Sequence, residues 1–284
     1  MKHLYFHLVF VLGVVSVYGQ HLTLPEPQLF SGDYKFTPRA IAQHRIRTVK
    51  IDAYMPNSRH ADQPVSGQVL QYDKSGRLSK EISLRAHDTT QIRSLSYTDN
   101  GKLSWEKTED RAQRKTTGSG YRLNSNQSVY QVKSYEILES DQKMLLDTRQ
   151  YIYNPEDSSL AAIKVLENQR VVSVTRYEYE NRRVSVEKLE NSRGETLKTI
   201  RYTYDARGNV VRVLQSSNGI TQEYRYTYDQ RNLVNKVEWL ENNTPKGLIT
   251  YTYDSRGLVT QLSRSQMTAK GEEVIVKNFS YDVF

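Results

Sequence analysis

Around residue 200 apolar and polar positions alternate with a period of two. Tyr202 and Tyr204 alternate with Arg201, Thr203 and Asp205, and the pattern returns at Tyr226-Thr227-Tyr228 and Tyr251-Thr252-Tyr253. Successive side chains of a strand point to opposite faces, so each stretch predicts a strand with one tyrosine face and one polar face. Each then runs into the same turn: Asp205-Ala206-Arg207-Gly208, Asp229-Gln230-Arg231-Asn232 and Asp254-Ser255-Arg256-Gly257. The leading Asp accepts hydrogen bonds from the turn backbone, and Gly at the fourth position supplies the left-handed conformation that closes a three-residue hairpin loop. Asn232 replaces that Gly in one copy, and Asn tolerates positive φ. Two residues past this position stand Leu78, Leu103, Val210, Val234 and Val259. A three-residue loop sets Tyr204 opposite Val210, Tyr228 opposite Val234 and Tyr253 opposite Val259. The next apolar residues, Val213, Val237 and Leu262, come three positions later. Either a bulge resets the face or both faces are partly covered.

The unit recurs along the chain. Earlier copies hold Tyr72 with Gly76 and Tyr97 with Gly101, and fainter ones lie at Tyr153, Tyr179 and Tyr281. From Tyr153 onward the marker tyrosines 153, 179, 204, 228, 253 and 281 fall 24 to 28 residues apart. A period near 25 means stacked hairpin units, each unable to bury its apolar face alone. Residues 109–150 lack a clean copy, although Tyr121 and Tyr130 fall where a degenerate unit would stand. Turns such as Asn218-Gly219 join the units at their other end, which forces an antiparallel up-and-down meander. About nine units give about eighteen strands, a flat sheet of roughly 80 Å. Twisted sheets rarely exceed about ten strands without curling. The expected fold is therefore all-β: a curled or partly closed shell of hairpins, tyrosine face inward.

Ahead of the repeats, Leu4 to Val17 is a short apolar run behind Lys2, and Val17 and Gly19 suit cleavage after Gly19. Residues 1–19 read as a secretory signal peptide, which points to a secreted, periplasmic or cell-surface protein with no further membrane span. Residues 20–44 read as a linker with a short helix near Pro38 to His44, and 45–284 as the repeat domain. The 284 residues contain no Cys, which excludes disulfide scaffolds, thiol nucleophiles and Cys-type zinc sites. Tyr is abundant, at 21 against 6 Phe and 2 Trp, which supplies aromatic bulk to a thin sheet.

The Tyr-Asp-x-x-Gly units, with Leu or Val two residues after the Gly, resemble the YD repeats of the RHS family. The resemblance is specific over 200–264, moderate over 72–107 and faint over 109–150. It implies a β-shell of the kind that encloses toxins or forms cell-surface proteins. The chain departs from the large members in having far fewer repeats, no self-cleavage segment of the Asp-Pro-x-Gly-Leu type and no toxin domain beyond Phe284.

Catalytic chemistry is sparse. The His residues 3, 7, 21, 44, 60 and 87 show no ligand spacing, and no nucleophile elbow, P-loop or dinucleotide fingerprint occurs. One Asp per turn caps a backbone and offers too few oxygens for calcium. Arg207, Arg231 and Arg256 at the turn tips and a net charge of +8 could adhere to anionic polymers, although a solvated rim explains them as well. Nucleic acid is not expected. The expectation is a non-enzymatic envelope protein without cofactor or metal, structural or binding a surface glycan or a protein partner. The alternatives are a glycan-processing enzyme with acids on loops such as 109–128, or an accessory fragment of a toxin-delivery system.

Overall fold

A computed structural model describes residues 38–56, 61–268 and 271–284. The leader of residues 1–19 and the linker up to residue 37 lie outside the described residues. A six-residue helix, α1 (Pro38–Gln43), precedes eighteen strands. These are β1 (Ile46–Tyr54), β2 (Ser66–Tyr72), β3 (Leu78–Arg85), β4 (Asp88–Tyr97), β5 (Leu103–Asp110), β6 (Lys115–Leu123), β7 (Val129–Ile137), β8 (Lys143–Tyr153) and β9 (Leu160–Glu167). The second half continues with β10 (Arg170–Glu180), β11 (Arg183–Asn191), β12 (Thr196–Tyr204), β13 (Val210–Ser217), β14 (Ile220–Tyr228), β15 (Val234–Glu241), β16 (Thr244–Tyr253), β17 (Val259–Thr268) and β18 (Gly271–Val283).

Every strand pairs antiparallel with its sequence neighbours, and β1 pairs with both β2 and β18. The sheet therefore closes into an eighteen-stranded barrel. The partly closed shell expected from the repeats is corrected by this one pairing: Val49 lies opposite Leu70 on one side and Tyr281 on the other, so β1 occupies the gap that an open sheet would leave. Closure satisfies both edges at once, which a long curled sheet cannot do.

The bulge alternative holds at each repeat turn. Thr203 lies opposite Arg212 but Tyr204 opposite Val210, so Val211 is the extra residue; the same shift occurs at Tyr228/Val234 and Tyr253/Val259. One added residue returns the next apolar side chain to the tyrosine face, which explains the three-residue step to Val213, Val237 and Leu262. That face is turned inward. Tyr202, Val213, Tyr224 and Val237 are buried, while Arg201, Thr203, Arg212 and Arg225 on the opposite face are exposed.

The faint segment 109–150 is fully folded. Strands β6, β7 and β8 fill it, with Leu123 where other units have Tyr, Asn124 in place of Asp, and Gln127 in the left-handed region at φ 59°. The expected loop 109–128 is thus a strand between two tight turns, and it offers no mobile platform for catalytic acids.

Candidate functional site

All repeat turns gather at one end of the barrel. Asp205, Asp229 and Asp254 each accept backbone N–H groups of their own turn at 2.8–2.9 Å, and Gly76, Gly101, Gly208, Gly257 and Asn232 have φ between 66° and 90°. Inside this end the marker tyrosines form a ring of latches. The hydroxyls of Tyr97, Tyr153, Tyr179, Tyr204, Tyr228, Tyr253 and Tyr281 donate to the carbonyls of Leu78, Val129, Leu160, Val184, Val210, Val234 and Val259 at 2.5–2.9 Å. Each acceptor opens a strand in the preceding unit beside its bulge, except Val184, which is the second residue of β11. The phenol thus does two things: its ring fills the interior and its hydroxyl ties one hairpin to the next. Burial pushes the phenols of Tyr179 and Tyr228 up to about 12.

Further in lies a second layer containing Tyr202, Tyr226 and Tyr251, with Val213, Val237 and Leu262 opposite them. Ile41 of α1 is fully buried in the same apolar cluster as Tyr72 and Tyr202, and the helix rests on the Asp73–Gly76 turn so tightly that a Cβ on Gly76 would lie 2.1 Å from the Pro38 carbonyl oxygen. Two of the arginines at the turn tips are engaged locally: Arg231 pairs with Asp229 and donates to the Asp254 carbonyl, and Arg256 pairs with Asp254.

Two arrangements escaped the repeat pattern. The fifth residue after the left-handed turn residue, apolar at Val213, Val237 and Leu262, is Glu at positions 81, 106 and 187. These carboxylates enter the interior. Arg93 bridges Glu81 and Glu106 at 3.3 and 2.9 Å, and the Tyr121 hydroxyl donates to Glu106 at 3.1 Å. Burial works against the Arg93 charge, but its partners Glu106 and Glu81 outweigh it and hold the guanidinium firmly protonated. Glu187 accepts from Tyr202 in the same way. The break in the apolar column at this position is the signal that reveals them.

The second arrangement is on the outer wall. Gly118 and Gly120 alternate on the outward face of β6, across from Lys107 and Trp105 of β5 and from Tyr135 and Lys133 of β7. With no Cβ in the way, the Trp105 indole lies flat over both glycines: added Cβ atoms would sit 2.5 and 3.2 Å from its ring. Tyr135 stacks beside it, centroids 6.1 Å apart and planes 30° apart, and Lys143 Nζ stands 4.1 Å above the indole centre. Trp105, Gly120, Tyr135 and Lys143, with Arg122 and Lys133, line an open cleft of about 270 Å³. The spacing Gly-x-Gly within a strand, with no turn to need it, is the signal in the sequence.

Among the described residues no group of three or more His, Cys, Asp or Glu side chains could hold a metal ion. No helix of the described residues is long and apolar enough to cross a membrane.

No protein-family model matches the chain, and no curated protein sequence matches it. Among solved structures it is similar to a porin-like protein from Bacteroides uniformis ATCC 8492, at 14% identity and a TM-score of 0.46 over 88% of this chain and 100% of that one. It is also similar to a porin-like protein from Bacteroides vulgatus ATCC 8482, at 11% identity and a TM-score of 0.37 over 84% of this chain and 100% of that one. A third likeness is to TcdB2-TccC3, at 14% identity and a TM-score of 0.34, over 78% of this chain but 15% of that one. The antiparallel barrel itself is given by this chain's own strand pairing.

Proposed function

We propose that this is a non-enzymatic protein of the cell envelope whose closed barrel is a rigid scaffold, binding a surface glycan or an envelope protein through its outer wall. The observation that carries this reading is the contrast between the two sides of the sheet. Inside, the ionisable groups of the Glu81–Arg93–Glu106–Tyr121 cluster are spent on one another and the repeat end is packed with latched rings. Outside, a cleft with an aromatic floor stands open. A general acid or base needs access to a substrate, and the carboxylates of this cluster are engaged by Arg93 and Tyr121 in the interior. The export reading of residues 1–19 and the resemblance of the turns to YD repeats favour the envelope.

The outer wall favours an aqueous setting over a lipid one. Arg176, Arg201, Arg212 and Arg225 all project from it and are exposed. At a bilayer midplane each would cost roughly 2–4 kcal/mol. The test is a glycan array and an envelope-fraction crosslinking experiment on the full chain, together with an assay for newly released reducing ends. A bound glycan or crosslinked envelope protein without sugar release is the expected result. Sugar release from envelope polysaccharide refutes the non-enzymatic reading.

A further inference from the structure

We propose that the cleft at Trp105 is a binding site for an anionic polysaccharide, one whose sugar rings carry carboxylate or phosphate groups; the proposal rests on the binding function inferred above and assigns it a place. Three features converge there. The indole is laid parallel to the wall because both residues beneath it are glycine, so one whole aromatic face is presented outward. Tyr135 extends that platform along the wall with its plane tilted by 30°. Arg122, Lys133 and Lys143 surround the rings, and none of the three makes an ion pair among the described residues. Lys107, across from Gly118 on the same face, is committed by contrast to Glu109.

The position of Lys143 shows what the platform attracts. Its ammonium sits over the indole because the ring face is electron-rich. The C–H bonds on one side of a pyranose carry the same sign of partial charge and offer a flat patch of similar size. A sugar that takes this place moves the flexible lysine stem aside, and the ammonium then meets the sugar's own carboxylate or phosphate. A nucleobase fits less well. Successive bases stack on a series of rings, whereas here the inner face of the indole is closed by the β6 backbone and a single continuous platform remains. A protein partner bearing only acidic side chains would use the cations and leave the ring face idle.

The full chain is titrated with an oligogalacturonate, a neutral malto-oligosaccharide, polyglutamate and a single-stranded oligonucleotide, followed by tryptophan fluorescence and calorimetry. The oligogalacturonate is expected to bind more tightly than the other three and to change the emission. Trp105→Ala should weaken binding roughly tenfold or more through loss of the stacking face. The triple variant Arg122→Gln/Lys133→Gln/Lys143→Gln, which leaves the indole seat intact, should weaken it and flatten its salt dependence. Denaturation curves establish that each variant is folded. The proposal is overturned if the uronide does not bind, if both variants bind it as the parent does, or if the neutral sugar, polyglutamate or the oligonucleotide binds as tightly. A chain that fails here but captures an envelope protein or another glycan loses the site and keeps the binding function. A chain that captures nothing in either experiment loses both.

Discussion

Replacing Tyr228 by Phe removes one oxygen and nothing else from the latch ring. That hydroxyl donates to the Val210 carbonyl at 2.7 Å and bridges the hairpins β12–β13 and β14–β15 past Arg212 and Arg225, where the ladder between β13 and β14 ends. A single neutral hydrogen bond contributes about 1 kcal/mol net, and an unsatisfied buried acceptor raises the cost of losing it toward about 1–3 kcal/mol. Val210 is only half-buried, so water can reach part of its carbonyl and the lower figure applies. Tyr228→Phe should therefore cost about 1 kcal/mol, lowering the Tm by about 2–4 °C for a domain of this size. Tyr228→Ala also removes a half-buried ring and should cost about 2–4 kcal/mol. The assay is urea unfolding followed by circular dichroism, with Tyr130→Phe as a control because that ring is exposed on the wall. An unchanged slope with a shifted midpoint reports stability alone. If Tyr228→Phe and Tyr130→Phe both unfold with the parent, the latch contributes nothing and the tyrosines act solely as apolar filler.

Four further expectations follow from the same geometry. Leu123→Tyr places a phenol at the one marker position that carries Leu, and a gain of about 0.5–1.5 kcal/mol in urea would show that the latch is transferable; a loss would show that this hairpin is too close-packed to take the ring. Gly76→Ala should destabilise by well over the roughly 1 kcal/mol of backbone strain expected at Gly219, because at Gly76 the new Cβ meets the α1 backbone whereas at Gly219 it meets nothing; equal melting temperatures for the two variants would contradict the docking of α1. In acid, Asp205 is held below the usual carboxylate range first by the Asn209 side-chain amide, and Glu223 first by Arg212 and then by Arg225. Their contribution is present above about pH 4 and is lost as pH falls through the lowered values, so the urea midpoint should fall in that window and fall less in Glu223→Gln. In alkali the sign reverses: burial raises the phenols of Tyr179 and Tyr228 to about 12, so their stabilisation is full below about pH 10 and lost as pH rises through about 12. Tyrosinate absorbance should appear late and together with unfolding, and an early, smooth titration of all the tyrosines would refute the buried ring.

The repeat geometry was legible because it is dictated locally. The alternation at Tyr202 and Tyr204, the Asp that ties its own turn and the residue with positive φ each act within a few positions, and the strand count follows from the period. Closure was not legible. It depends on β1, which carries no repeat marker, and on a register between residues at opposite ends of the described chain. The faint segment was hidden because Asn124 and Gln127 meet the same backbone demands as Asp and Gly without looking like them. The interior carboxylates and the Trp105 cleft left local marks in the sequence, the Glu in an apolar column and the Gly-x-Gly within a strand, but their assembly was hidden for another reason. Each needs four adjacent strands to become a site, β3 to β6 for the carboxylates and β5 to β8 for the cleft, and a pattern read along one strand at a time does not see sideways.

The single joint at β1 governs how such a molecule can be made. Hairpins can form one after another as synthesis proceeds, but the first stave must wait for the last before the hoop is fastened, and long-range pairing of this kind is slow. Throughout that wait two bare edges invite neighbouring chains. A version shortened by its final stave would keep those edges for life, and should accumulate as linked oligomers where the intact barrel stays single.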